Sequence, residues 1–321
     1  MIKNLPDTDT RDIARELLTL REDGGGAATG RVLTLIVLAQ REDDLARIIS
    51  IANEVSREHP ARVLVLISGE PWGESRLDAE VHLGGDAGAA EIVVMHVFGE
   101  VGEHPEAVVT PLLLPDTPIV AWWPSKPPQV PAATAVGQIA QRRITDSLID
   151  PDADAVNIRR TGYNPGDTDL CWSRLTSWRG VLASAMDLPP HGPVTAAAIE
   201  GPAEDPSVDI AAGWLADRLG VTVTRVMEDG PLIPMDADDE PKAPVSRVLL
   251  ERESGDLELR VTGSMTAVVR IGERPPFKVA LSRRPTADCL TEELRHLDPD
   301  VAYGRALRGL ARIRRVRPAE A

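Results

Sequence analysis

The sequence predicts an α/β protein. A mostly parallel, three-layer α/β N-terminal domain spans 1–188, and a smaller α/β domain with an antiparallel strand section spans 194–321. Three observations carry this reading. Residues 31–39 and 62–68 are continuous apolar runs, the pattern of strands buried on both faces of a parallel sheet. Between them Leu45, Ile48, Ile49, Ala52 and Val55 recur at helical spacing, so the stretch reads strand–helix–strand with a right-handed crossover. Residues 187–193, with Pro189, Pro190, Gly192 and Pro193, break any regular structure and mark the domain boundary.

The remaining elements follow in order. Ile13, Leu17 and Leu20 place a helix over about 9–21, stopped by Gly24, Gly25 and Gly26. His59 and Pro60 end the second helix. Residues 76–83 and 90–98 read as strands of a hairpin-like insert around Gly84, Gly85 and Gly88. A short helix is expected over 104–114, a buried strand over 118–123, a helical segment over 132–141 and a last short strand over 143–149. One long helix is expected over 168–186. Beyond the boundary come a strand at 194–199, a helix at 207–219, a strand at 221–227 and a mobile acidic loop at 229–244. Strands at 246–252, 256–263 and 266–272 are expected to pair antiparallel through a turn at Ser254 and Gly255. Helices at 286–297 and 300–313 complete the chain, and no repeat of 20–50 residues is visible.

Composition narrows the function. The chain has 321 residues and a net charge of −15, which repels nucleic acid and anionic membranes unless a local basic patch intervenes. Its two cysteines, Cys171 and Cys289, form no CxxC pair, so neither a disulfide framework nor a zinc cluster is expected and a reduced, cytoplasmic protein is. No signal-peptide pattern occurs at the N-terminus, and no apolar run reaches the roughly 18–20 residues of a membrane span.

A search for chemistry finds little. Gly24, Gly25, Gly26 and Gly30 do not fit G-x-G-x-x-G, because Thr29 takes the third glycine's place and the glycines precede the strand. The loop at 84–88 lacks the Lys-Ser/Thr of a P-loop. The histidines at 59, 82, 96, 104, 191 and 296 show no metal-ligand spacing, and no cofactor or metal is expected. Neither G-x-S-x-G nor S-x-x-K occurs, and Cys171 reads as a small core residue. The basic tail (Arg305, Arg308, Arg312, Arg314, Arg315 and Arg317) is either a clamp on an acidic partner or a solvated helix end packed on the protein's own acidic body; the second is preferred.

The tryptophans are the informative aromatics, six against two Tyr and two Phe. Trp122 and Trp123 end a central strand and point to opposite faces, so one is expected in the core and the other at the sheet's rim. On a continuous helix Cys171, Leu175, Trp178, Leu182 and Ala185 form a core stripe, and Trp172, Thr176, Arg179 and Ala183 form its neighbour. A Trp and an Arg on one outward stripe suit a binding hot spot. Arg174 lies four residues before Trp178 and is placed to stack on it. The expected partner-binding residues are Trp172, Arg179 and Arg174, with Trp123 and Arg142 behind them.

Four segments carry a resemblance: 31–37, 118–124, 142–147 and, most specifically, Asp169-Leu-x-Trp-x-Arg-Leu-Thr-x-Trp-Arg179. On them the chain resembles the glucose-6-phosphate dehydrogenase assembly protein family, known as OpcA, most clearly over 1–190 and in its actinobacterial form. The resemblance implies a non-catalytic allosteric activator that binds glucose-6-phosphate dehydrogenase and promotes its active oligomer. The process it implies is the oxidative pentose phosphate pathway. Cyanobacterial relatives are linked to thioredoxin control, but Cys171 and Cys289 match no regulatory pair. The alternative is a sugar-phosphate-binding α/β enzyme acting directly on a metabolite of that pathway.

Overall fold

A computed structural model describes residues 2–23, 30–69, 72–83 and 91–318. The chain divides into two units. The first takes 1–151, 164–168 and 286–299; the second takes 152–163, 169–285 and 300–321. This differs from the expected boundary at 187–193. The Trp-rich segment after 168 goes with the second unit, and 286–299 goes with the first.

In the first unit β1 (Ile2–Leu5) and α1 (Thr10–Asp23) are followed by β2 (Leu33–Ala39), α2 (Leu45–Glu58) and β3 (Ala61–Ser68), the expected strand–helix–strand. Next come β4 (Arg76–Leu83), β5 (Glu91–Phe98), α3 (Pro105–Val109), β6 (Ile119–Trp122), α4 (Ala135–Ile139) and β7 (Arg142–Thr145). After α5 (Ala155–Gly162), which belongs to the second unit, β8 (Asp167–Asp169) completes a sheet of order β1-β4-β5-β3-β2-β6-β7-β8. The pairs β3–β5, β2–β3, β2–β6 and β6–β7 are parallel, whereas β4 runs antiparallel to β1 and β5. The glycine turns expected at 24–26 and 84–88 lie outside the described residues.

The central strands are apolar over most of their length because both faces are covered. Alternate residues Ile36, Leu64, Leu66, Val93 and Met95 form one core with Ile13, Leu17, Val108, Val109 and Val136. The intervening residues Leu35, Val37, Val63, Val65 and Val94 are equally buried, as are Ile48, Ala52 and Val55 on α2. Asp44 caps α2 by accepting from the Arg47 N–H at 3.0 Å. One ion cluster sets the register. Glu91, fully buried at the head of β5, accepts from Arg62 on β3 at 2.9 and 3.0 Å and from Arg31 at 2.8 Å. Arg62 also donates to the Leu112 carbonyl at 2.7 Å.

The second unit contains α6 (Leu170–Arg174), α7 (Thr176–Met186), β9 (Ala196–Pro202), α8 (Pro206–Leu219), β10 (Val223–Glu228), β11 (Arg247–Glu251), β12 (Leu257–Val261), β13 (Thr266–Ile271) and β14 (Phe277–Ala280). Helix α9 (Thr286–Arg295) packs on α2 in the first unit, and α10 (Val301–Gly309) and β15 (Ile313–Val316) finish the second. Its sheet has the order β14-β13-β12-β11-β9-β10-β15, with β9, β10 and β15 parallel and the rest antiparallel.

Three expectations are corrected here. The single helix over 168–186 is two helices: α6 starts after Asp169, which is extended and caps it by accepting from the Cys171 N–H at 2.9 Å, and α7 starts after a turn at Leu175. The basic tail is not a helix end at 313–316 but a strand on the free edge of β10, where Arg315 donates to Asp209 at 3.1 Å. The acidic stretch 229–244 holds an ordered turn: the Asp236 carboxylate accepts from the N–H groups of Asp238, Glu240 and Ser264 at 2.9, 3.0 and 3.0 Å. Hydrogen bonds from Ser264 and then from Glu240 hold that carboxyl well below the usual carboxylate range.

On β12, Glu258 receives Arg247, Arg260 and Arg270. Burial opposes its charge, but hydrogen bonds from Arg270, Arg247 and Arg260 win and bring the carboxyl down from 4.5 to about 2. A lowered folded value stabilises the fold above pH 4.5, and that gain is lost as pH falls toward about 2. Glu258→Gln therefore flattens the acid limb of the stability profile over this window, by about 1 kcal/mol once solvent screening is allowed for. An unchanged limb in urea titrations at stepped pH overturns this. Glu91→Gln leaves two arginines facing a neutral buried amide and lowers the unfolding free energy by about 3 kcal/mol; chemical denaturation at neutral pH measures it.

Candidate functional site

The segment 169–179 builds an aromatic–arginine knot within the second unit. Trp172 on α6 donates its Nε1–H to Asp300 Oδ2 at 2.6 Å. The guanidinium carbon of Arg179 lies 3.4 Å from the centroid of the indole ring, a close cation–π contact. Arg179 also donates to Thr176 Oγ1 at 2.8 Å. The Tyr303 ring packs beside Trp172 at 5.9 Å, and Tyr163 meets Tyr303 edge-on at 6.0 Å. The other oxygen of Asp300 caps α10, accepting from the N–H groups of Ala302 and Tyr303 at 2.8 and 3.0 Å. One carboxylate thus ties α6 to the start of α10. Gly304 is required beside it, since a Cβ there would stand 2.8 Å from the Tyr163 hydroxyl.

The five expected contact residues fall into two groups. Trp172, Arg174 and Arg179 are in the second unit; Trp123 and Arg142 are in the first. Four of them are withdrawn from solvent: Trp172 is 1 % exposed, Arg142 3 %, Arg174 5 % and Trp123 5 %. Arg179 is half-buried. The outward stripe expected for Trp172 is therefore corrected. Arg179 does lie over the indole as that stripe has it, but Asp300 and Tyr303 cover the ring. Arg174 lies beside Cys171, with Nη1 3.7 Å from Sγ, while Trp178 packs edge-on against Trp214 at 6.0 Å.

In the first unit Arg142 is ion-paired with Glu293 and donates to the Asp298 carbonyl at 2.8 Å. Its neighbour Arg143 is paired with Asp167 and donates to the Ala140 carbonyl at 2.7 Å. Trp122 and Trp123 were expected to divide between core and rim, yet both are buried; Trp123 joins the core with Val136 and Ala140. The N-terminus of α2 is capped by the chain's own Asp44, while Asp43 closes the preceding loop by accepting from the Gln40 N–H at 2.7 Å.

Sequence reasoning missed Asp300, Tyr303 and Tyr163. A signal existed: these are both of the chain's tyrosines, and Asp300 precedes Tyr303 at helix-capping distance. Cys171 and Cys289 are buried free thiols. Among the described residues no helix is long and apolar enough to cross a membrane.

Comparison with known proteins gives two consecutive family matches. The glucose-6-phosphate dehydrogenase subunit N-terminal domain matches 52–160, and the corresponding C-terminal domain matches 165–307. No curated protein matches. Among solved structures, biliverdin reductase in complex with biliverdin and NADP+ from Synechocystis sp. PCC 6803 aligns over 88 % of this chain and 97 % of its own, with a TM-score of 0.39 and 10 % identity, a likeness too slight to carry an argument. The two domain matches follow each other in family order along most of the sequence, and the chain belongs to the glucose-6-phosphate dehydrogenase assembly protein (OpcA) family.

Proposed function

We propose that this chain is a non-catalytic assembly factor of the cytoplasm that binds glucose-6-phosphate dehydrogenase, promotes its active oligomer and thereby activates it allosterically. It would act where glucose 6-phosphate is drawn into the oxidative pentose phosphate pathway, as a member of the actinobacterial type. The observation that carries this reading is membership of the family through both of its named domains. The knot gives it physical support. Side chains locked before encounter lose little freedom on binding, which favours a rigid docking body.

In this reading Arg179 reaches the partner, because it is the half-buried member of the set. Trp172 holds Arg179 in place through its ring, and Arg174 packs behind it beside Cys171. Trp123 and Arg142 shape the first unit from within. Activation requires tighter binding to the active state of the enzyme than to the inactive one. A difference of about 1–3 kcal/mol yields roughly 5–150-fold coupling.

Titrating the chain into purified dehydrogenase, while following rate and sedimentation, is expected to raise the first and shift the second to a larger species. A flat response in both sinks the proposal. Arg179→Ala is expected to unfold within about 1 kcal/mol of the parent while weakening the complex about tenfold. Binding unchanged in that variant moves the contact elsewhere. Trp172→Ala instead costs about 3–5 kcal/mol of folding stability, because a large buried ring and its hydrogen bond are lost.

A further inference from the structure

The first unit contains a crevice that neither the family nor the sequence reading assigns. In its sheet β3 lies on one side of β2 and β6 on the other, so the chain changes direction of travel at β2. All three strands are parallel and end on the same edge. Open parallel sheets gather ligands outside the strands' carboxyl ends at such a switch point. A cavity of about 360 Å³ lies there. Its walls are the last residues of β2 (Leu38, Ala39), of β3 (Leu66, Ser68) and the segment after β6 that begins at Trp123.

The lining says what fits. Leu38, Leu66, Pro105, Trp123 and Val136 make an apolar body with an indole wall. Of the described lining residues Lys126 alone carries a charge. In a chain of net −15 that is a local reversal of sign. Lys126 is exposed, so it stands at the mouth rather than in the floor. A dinucleotide is disfavoured on two grounds. The volume is near the low end for ligand pockets. The helix N-terminus that would receive a pyrophosphate is capped by Asp44.

We propose that this crevice binds a small organic anion, its carboxylate or phosphate on Lys126 and its apolar body against Trp123, Leu38 and Leu66. The site lies wholly within the first unit, so it is tested on the full chain alone, without the dehydrogenase.

The probes are benzoate and phenyl phosphate, with benzyl alcohol as the uncharged control, followed by calorimetric titration. At least one anion is expected to bind with a dissociation constant on the order of 1 mM or tighter, and benzyl alcohol at least about tenfold more weakly. Benzoate alone marks a carboxylate ligand and phenyl phosphate alone a phosphate ester; either supports the proposal. Lys126→Glu is expected to weaken the anion about tenfold or more. Ala135, exposed at the cavity wall, gives the steric test: Ala135→Trp fills the mouth and abolishes binding with the unliganded melting temperature unchanged. If that variant melts early, Lys126→Glu decides. Absence of anion binding, equal binding of benzyl alcohol, or affinity untouched by Lys126→Glu overturns the site.

Discussion

Carboxylates withdrawn from water govern how both units are assembled. A core built from Val, Leu, Ile and Ala is adaptable and specifies register poorly, whereas a buried carboxylate tolerates few arrangements. Glu91 lies fully buried between Arg31 and Arg62 and fixes β5 against β3. Glu293 answers Arg142, and Asp167 answers Arg143. In the second unit Asp209 stands between Arg225 and Arg315. Burial raises the Asp209 carboxyl and lowers the Arg225 guanidinium, and the opposite charge of each neighbour works against that shift. Such pairs add little net stability, but removing one member is severe.

The knot obeys the same constraint. Asp300 spends one oxygen on the α10 cap and the other on the Trp172 indole, which in turn carries Arg179. A single carboxylate therefore decides where a cation near the surface is held. Within segment 169–179 the tryptophan is thus the mount and the arginine the mounted group.

Much of this was legible in the sequence, for identifiable reasons. The β2–α2–β3 unit announced itself because buried parallel strands are near-continuous apolar runs and the helix between them shows one clean stripe. Strand β15 did not, since Ile313-Arg-Arg-Val316 has no strand pattern of its own and forms because β10 offers a free edge. The break at Leu175 was invisible because both halves have good helical spacing. Proximity of Trp172 and Arg179 was readable, but burial was not, because the partners that enclose the indole lie 128 residues away at Asp300 and just beyond it at Tyr303.

The return of 286–299 to the first unit bears on how the protein is made. Residues 1–151 emerge from the ribosome early, yet Glu293, the counter-charge of buried Arg142, follows only after about 150 more residues. At ordinary elongation speeds that is a wait of roughly 10–30 s, during which the nascent first unit holds an unmatched arginine and lacks α9 over α2. The two halves are thus coupled in synthesis: neither is finished until nearly the whole chain is out, and a product stopped before α9 would present the cell with two incomplete bodies instead of one working domain.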